Sequence, residues 1–114
     1  MSDTMTLEQV VDSLRKQFGE HIVMKLDDEP QPVAVISTGS LKVDRATGVG
    51  GAPRSRITEI FGPEGAGKSS MAQHLVAEAQ RDNGVAVYID MEHKIAPAYM
   101  QACGVDMSQL VLSQ

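Results

Sequence analysis

Gly62-Pro63-Glu64-Gly65-Ala66-Gly67-Lys68-Ser69 fits the pattern G-x-x-x-x-G-K-[ST] at every fixed position. Glycines in such a run let consecutive backbone N–H groups turn inward around a polyphosphate. Lys68 adds a point charge for the outer phosphates, and the Ser69 hydroxyl is suited to Mg²⁺. The pattern has this meaning only between a strand and a helix. Upstream, residues 56–61 (Arg-Ile-Thr-Glu-Ile-Phe) are expected to form a strand. Downstream, Ser70 to Arg81 places Met71, Ala72, Leu75, Val76 and Ala79 on one helical stripe. A helix starting there would also present its positive dipole end to the anion.

The composition is that of an ordinary globular chain: 114 residues, 42% hydrophobic and 22% charged. That length holds at most one domain. It is short for a complete phosphate-loop ATPase, because each βαβ unit takes about 30 residues. The chain also stops just after the apolar run Leu110-Val111-Leu112, as the cut end of a longer protein would. The lone Cys103 excludes a disulfide framework and reads as a small buried side chain. Residues 1–30 contain no apolar run of signal-peptide length, and nothing approaches the ~20 apolar residues of a membrane span, so no membrane partner and a cytosol-like compartment are expected. The net charge of −5 does not advertise a nucleic-acid surface within these residues.

Thr6-Leu7-Glu8-Gln9 fits a capping box, and Leu7, Val10, Val11, Leu14 and Phe18 follow at helical spacing up to Gly19. This amphipathic helix has two possible partners for its apolar face, the rest of the chain or a neighbouring subunit. Residues 20–32 are polar and turn-rich. Val33 to Ile36 reads as a short strand, and Gly48 to Pro53 as a loop. Asp82-Asn83-Gly84 then turns the chain into a buried strand, Val85 to Asp90, expected to run parallel to the strand at 56–61 because a helix crosses between them. A short helix from Ala98 to Cys103 and a strand at Leu110 to Ser113 complete a β-loop-α-β-α-β pattern. The fold class is α/β, with helices covering a parallel sheet.

Asp90 and Glu92, two apart at a strand's C-terminal end, leave one face in extended geometry. Ligands of open α/β sheets bind beyond such ends. Either carboxylate could orient the water that attacks a γ-phosphate, or both could cap the next turn as solvated groups. Asp90 also follows an apolar run, as the Mg²⁺-holding aspartate of many phosphate-loop enzymes does. His21, His74, His93 and Cys103 share no metal-ligand spacing. Glu59 within a central strand and Glu64 within the loop have no local explanation, and Glu64 is expected to point away from phosphate.

Several further blocks come in a fixed order: Lys16-Gln17-Phe18-Gly19, Ile36-Ser37-Thr38-Gly39-Ser40-Leu41, Gly50-Gly51-x-Pro53, Arg56-Ile57-x-Glu59-Ile60-x-Gly62-Pro63-Glu64 and Tyr88-Ile89-Asp90-x-Glu92-His93. From about residue 7 to the end this series closely resembles the N-terminal part of bacterial RecA-type recombinases, whose pattern includes Glu59 and Glu64. The resemblance implies a RecA-like phosphate-loop NTPase core, here partial, over residues 33–114. Residues 1–32 would be an N-terminal helix and linker serving subunit assembly. It implies a cytoplasmic, ATP-dependent DNA recombinase that binds single-stranded DNA, pairs homologous strands in repair and forms filaments with ATP and Mg²⁺ between subunits. Carried over by position, Gly62, Pro63, Glu64, Gly65, Ala66, Gly67, Lys68, Ser69 and Ser70 would cradle ATP. Ser69 would hold Mg²⁺, Lys68 and Glu92 would be catalytic with Glu92 orienting the water, and Tyr99 would pack near the adenine. The helix from Leu7 to Phe18 would dock on the next subunit of a homo-oligomeric filament.

Two positions depart from that pattern: Ala96 stands where an acidic residue near the adenine is usual, and Ser55 replaces a usual glycine. The family's later Mg²⁺-coordinating strand, mobile DNA-binding loops and C-terminal domain have no counterpart in these residues. The expectation is therefore a fragment or truncated product of a diverged recombinase, whose DNA contacts lie mainly elsewhere and which does not exchange strands alone. Two alternatives are a non-catalytic filament-interaction piece and a phosphate-loop nucleotide kinase. The kinase would require an Arg-rich lid that these residues lack.

Overall fold

The computed structural model describes residues 4–114. The chain forms two compact units, Met1–Pro32 and Val33–Gln114.

The first unit is built on helix α1 (Leu7–Phe18). Its capping box is complete: the Gln9 N–H donates to Thr6 Oγ1 at 3.3 Å, and the Thr6 N–H donates to Gln9 Oε1 at 2.9 Å. Glu8 in the first turn and Arg15 and Lys16 in the last complement the helix dipole. The segment after Gly19 is held to α1 by polar contacts. Arg15 donates through Nε to the Val23 carbonyl at 3.0 Å and through Nη2 to Asp28 Oδ2 at 3.1 Å. The same Asp28 oxygen accepts the Lys25 N–H at 2.8 Å. Of the apolar stripe only Val11 is buried, while Leu7, Val10 and Phe18 are exposed.

The second unit opens with a short antiparallel pair, β1 (Val35–Ile36) with β2 (Ala52–Pro53), enclosing helix α2 (Leu41–Ala46). Asp44 ties the turn before α2 together. Its carboxylate accepts from Ser37 Oγ and Thr38 Oγ1, each at 2.6 Å, and from the Thr38 N–H at 2.8 Å. These bonds, Ser37's first, hold the Asp44 carboxyl below the ordinary carboxylate range. Gly51 is required by space: a Cβ there would lie 2.3 Å from the Ile36 carbonyl oxygen.

Helix α3 (Lys68–Arg81) follows, then β3 (Ala86–Ile89), α4 (Pro97–Ala102), a 3₁₀ turn (Met107–Gln109) and β4 (Leu110–Ser113). β3 and β4 pair in parallel, Ala86 opposite Leu110 through Ile89 opposite Ser113. Parallel partners need a crossover, which the α4 segment supplies. The core gathers where α3, α4 and the sheet meet: Ala77, Met100 and Val105, with Val76, Tyr88, Ile95, Met107 and Leu110 packed around them. In α3 Gln73 is buried, and its Oε1 has no hydrogen-bond partner among the described residues. His74 is exposed, and the free Cys103 is buried, as expected.

Three expectations are corrected. Residues 56–61 form no strand: no ladder bonds hold them among the described residues, and Phe61 is 85% exposed. A strand exists only through a neighbour's N–H and C=O groups, and no described residue pairs with 56–61; β3, expected to run parallel to it, pairs with β4 alone. Second, β3 is not buried on both faces. Ala86 and Tyr88 face the core while Val87 and Ile89 are exposed, the alternation of a sheet covered on one side. Third, Ala52–Pro53 is a strand where a loop was expected, and Leu41–Ala46, a stretch without a sequence signal of its own, is a helix. Two helical turns and a two-residue strand are too short to show a hydrophobic period, though Ser40 is a recognisable cap, accepting from the Val43 N–H.

Candidate functional site

The Gly62–Ser69 run turns sharply into α3. The Ala66 N–H bonds the Pro63 carbonyl at 3.2 Å, and the first helical bond runs from the Met71 N–H to the Gly67 carbonyl at 2.9 Å. Gly67, with φ at +95°, occupies the left-handed region where a side chain would be strained. Between these two bonds, the N–H groups of Gly65, Gly67, Lys68 and Ser69 have no partner among the described residues. Such N–H groups at a helix start are where an anion binds. The Lys68 ammonium folds back over the turn and donates to the carbonyls of Gly62 at 2.7 Å and Pro63 at 3.0 Å.

Facing this loop is the turn after β3. The loop and the turn bound a cleft of about 590 Å³, lined by residues 64–70 on one wall and by Glu92 and Lys94 on the other. The far wall is fixed from beneath by Asp90. That side chain is buried, and its two carboxylate oxygens accept the N–H groups of Glu92 at 3.1 Å and Lys94 at 2.9 Å. Its own N–H extends the β3–β4 ladder to the Ser113 carbonyl at 2.8 Å. Of the two carboxylates, Asp90 is therefore the one that caps the turn, and Glu92 is the one left exposed at the cleft.

Of the site residues expected from sequence, Glu64, Gly65, Ala66, Gly67, Lys68, Ser69, Ser70 and Glu92 line one cleft. Gly62 and Pro63 do not line it, and hold the Lys68 ammonium instead. Glu64, expected to point away, contributes to the lining. Tyr99 is not part of it. This half-exposed side chain meets the site indirectly, its hydroxyl 2.8 Å from Ser70 Oγ. Ala96 is the N-cap of α4 and supplies no capping bond. Ser55, where glycine is usual in the resembling family, has φ at +59°, in the glycine-favouring region. Lys94 was missed. An isolated lysine two residues beyond a carboxylate carries no pattern, and only the turn geometry brings it to the cleft.

The chain is a mixed α/β unit of two short sheets and packed helices, preceded by a capped N-terminal helix. The comparison with known families is more specific: the RecA N-terminal domain matches residues 5–114. The chain is 49% identical to the RecA protein of Rubrobacter xylanophilus across 100% of its own length and 33% of the relative's. It is 51% identical to that of Thermotoga neapolitana and 50% to that of Clostridium novyi, each over 95% of this chain and 31% of the relative. The chain belongs to the RecA family. It spans about a third of the length of the curated relatives it matches.

Proposed function

We propose that this chain is the ATP-binding N-terminal portion of a DNA recombinase, and that Gly62–Ser70 cradles the triphosphate. The observation carrying this reading is the juxtaposition of unpartnered loop N–H groups with Lys68 and an opposing Glu92 across a cleft of about 590 Å³.

The donors suit the ligand. Amides and one ammonium recognise anionic oxygen, and the Ser69 hydroxyl offers Mg²⁺ one ligand. Among the described residues no cluster of three or more His, Cys, Asp or Glu could hold a metal ion. That fits an ion bound mainly through phosphate oxygens and water rather than by a protein cage. When bound, Mg²⁺ supplies neutralisation of phosphate charge. The protein's own contributions are distinct. Lys68 exchanges its two carbonyl contacts for phosphate oxygens, the loop amides fix the triphosphate, and Glu92 orients the attacking water by accepting its hydrogen bond. Ser70 links the loop helix to Tyr99, which would pack near the adenine.

In the whole protein this site would serve single-stranded DNA binding, homologous pairing, strand exchange and repair in the cytoplasm, with DNA held mainly by residues outside this chain. No helix among the described residues is long and apolar enough to cross a membrane. A second role, filament assembly through residues 1–32, is favoured by the exposed Leu7, Val10 and Phe18 on α1. The nucleotide-kinase alternative gains nothing from the family match.

The test is Mg-ATP binding and turnover, with and without single-stranded DNA, by the chain and its full-length form. Binding that Lys68→Ala abolishes supports the reading. Failure to bind nucleotide, with retained association to a full-length relative, supports an interaction piece instead.

A further inference from the structure

The cleft holds a second cation that no motif names, and the geometry points to Lys94 as a polyphosphate-binding residue acting from the wall opposite Lys68. This inference rests on the ATP-binding reading and adds a residue to it.

Three observations carry it. The charged side chains lining the cleft are Glu64, Lys68, Glu92 and Lys94, two of each sign. Without Lys94 the lining would be net negative, and a site of that sign repels a polyphosphate. Next, the Lys94 ammonium has no ion pair or hydrogen bond among the described residues, whereas that of Lys68 rests on the Gly62 and Pro63 carbonyls. Finally, the Lys94 backbone is not that of a loose surface loop. Its N–H is held by the buried Asp90 carboxylate at 2.9 Å, and His93 before it bends the chain at φ +54°. The anchor at Asp90 also fixes Glu92, so one buried carboxylate sets both the proposed water-orienting group and the second cation.

The experiment is calorimetric titration of the chain with Mg-ATP and with Mg-tripolyphosphate, for the wild type, Lys94→Met, Lys94→Arg and Lys68→Ala, with circular dichroism checking the fold of each. Lys94→Met is expected to weaken both ligands by about tenfold, the scale of one partly solvated charge contact to phosphate. Lys94→Arg should stay within about threefold, since it keeps the charge. Wild-type affinity in Lys94→Met, alongside lost binding in Lys68→Ala, overturns the inference and leaves the nucleotide site standing. Equal losses in Lys94→Met and Lys94→Arg overturn it too, because packing and not charge would then be at work. A loss confined to ATP, with tripolyphosphate unaffected, overturns it in favour of a base contact. A wild type that binds neither ligand removes this inference and the site together.

Discussion

The two walls of the cleft are built on opposite principles. The loop wall leaves its backbone unsatisfied: the N–H groups of Gly65, Gly67, Lys68 and Ser69 are among those without partners in the described residues, and the nearest cation rests on the Gly62 and Pro63 carbonyls. In the 90–94 wall two backbone N–H groups are taken up by Asp90, leaving the side chains of Glu92 and Lys94 at the cleft. One wall would bind through main-chain donors that only a ligand can satisfy. The other would act through side chains held on a rigid turn. Main-chain contributions to binding should therefore lie on the first wall, and side-chain contributions, to hydrolysis at Glu92 and to binding at Lys94, on the second.

That separation sets the predictions. The largest effect is expected from Glu92→Gln, which should cut ATP hydrolysis by ~10²-fold or more while leaving nucleotide affinity nearly intact. Turnover assays paired with titration check it, and unchanged turnover would remove Glu92 from its proposed role. Next comes the anchor. Asp90→Ala strips the acceptor from two N–H groups and should destabilise the chain by about 1–3 kcal/mol in urea unfolding. It should also lower hydrolysis through misplacement of Glu92, whereas a stability loss with unaltered turnover would show that the far wall needs no anchor. The smallest effect lies just beyond that wall. Ala96→Asp would give α4 the cap it lacks and raise stability by about 1 kcal/mol. If the acid also tightens binding of ATP but not of tripolyphosphate, position 96 faces the adenine.

The first wall was legible in the sequence because its chemistry is local. Fixed glycines, Lys68 and Ser69 must be contiguous to surround a phosphate, so the pattern survives in one dimension. Helix α1 was equally legible through its capping box and apolar period, α3 through its apolar period, and β3 and β4 through apolar runs. The second wall was only half legible. Asp90 and Glu92 could be placed at a strand end, but which one anchors and which one faces the cleft depends on the turn, and Lys94 depends on it entirely. The misread segment, 56–61, shows the converse limit. Its residues favour a strand, but strand structure is a property of pairs, and no described residue pairs with it. Glycine positions divide in the same way. Gly67 is explained by its own φ, while Gly51 is explained only by the Ile36 carbonyl that approaches it.

The most direct test is a backbone-amide NMR titration of the chain with Mg-ATP. The account predicts saturable shifts centred on the N–H groups of Gly65, Gly67, Lys68 and Ser69, lost in Lys68→Ala. Amides of that loop that stay unmoved while the rest of the spectrum responds, or a loop that responds identically in Lys68→Ala, would contradict it.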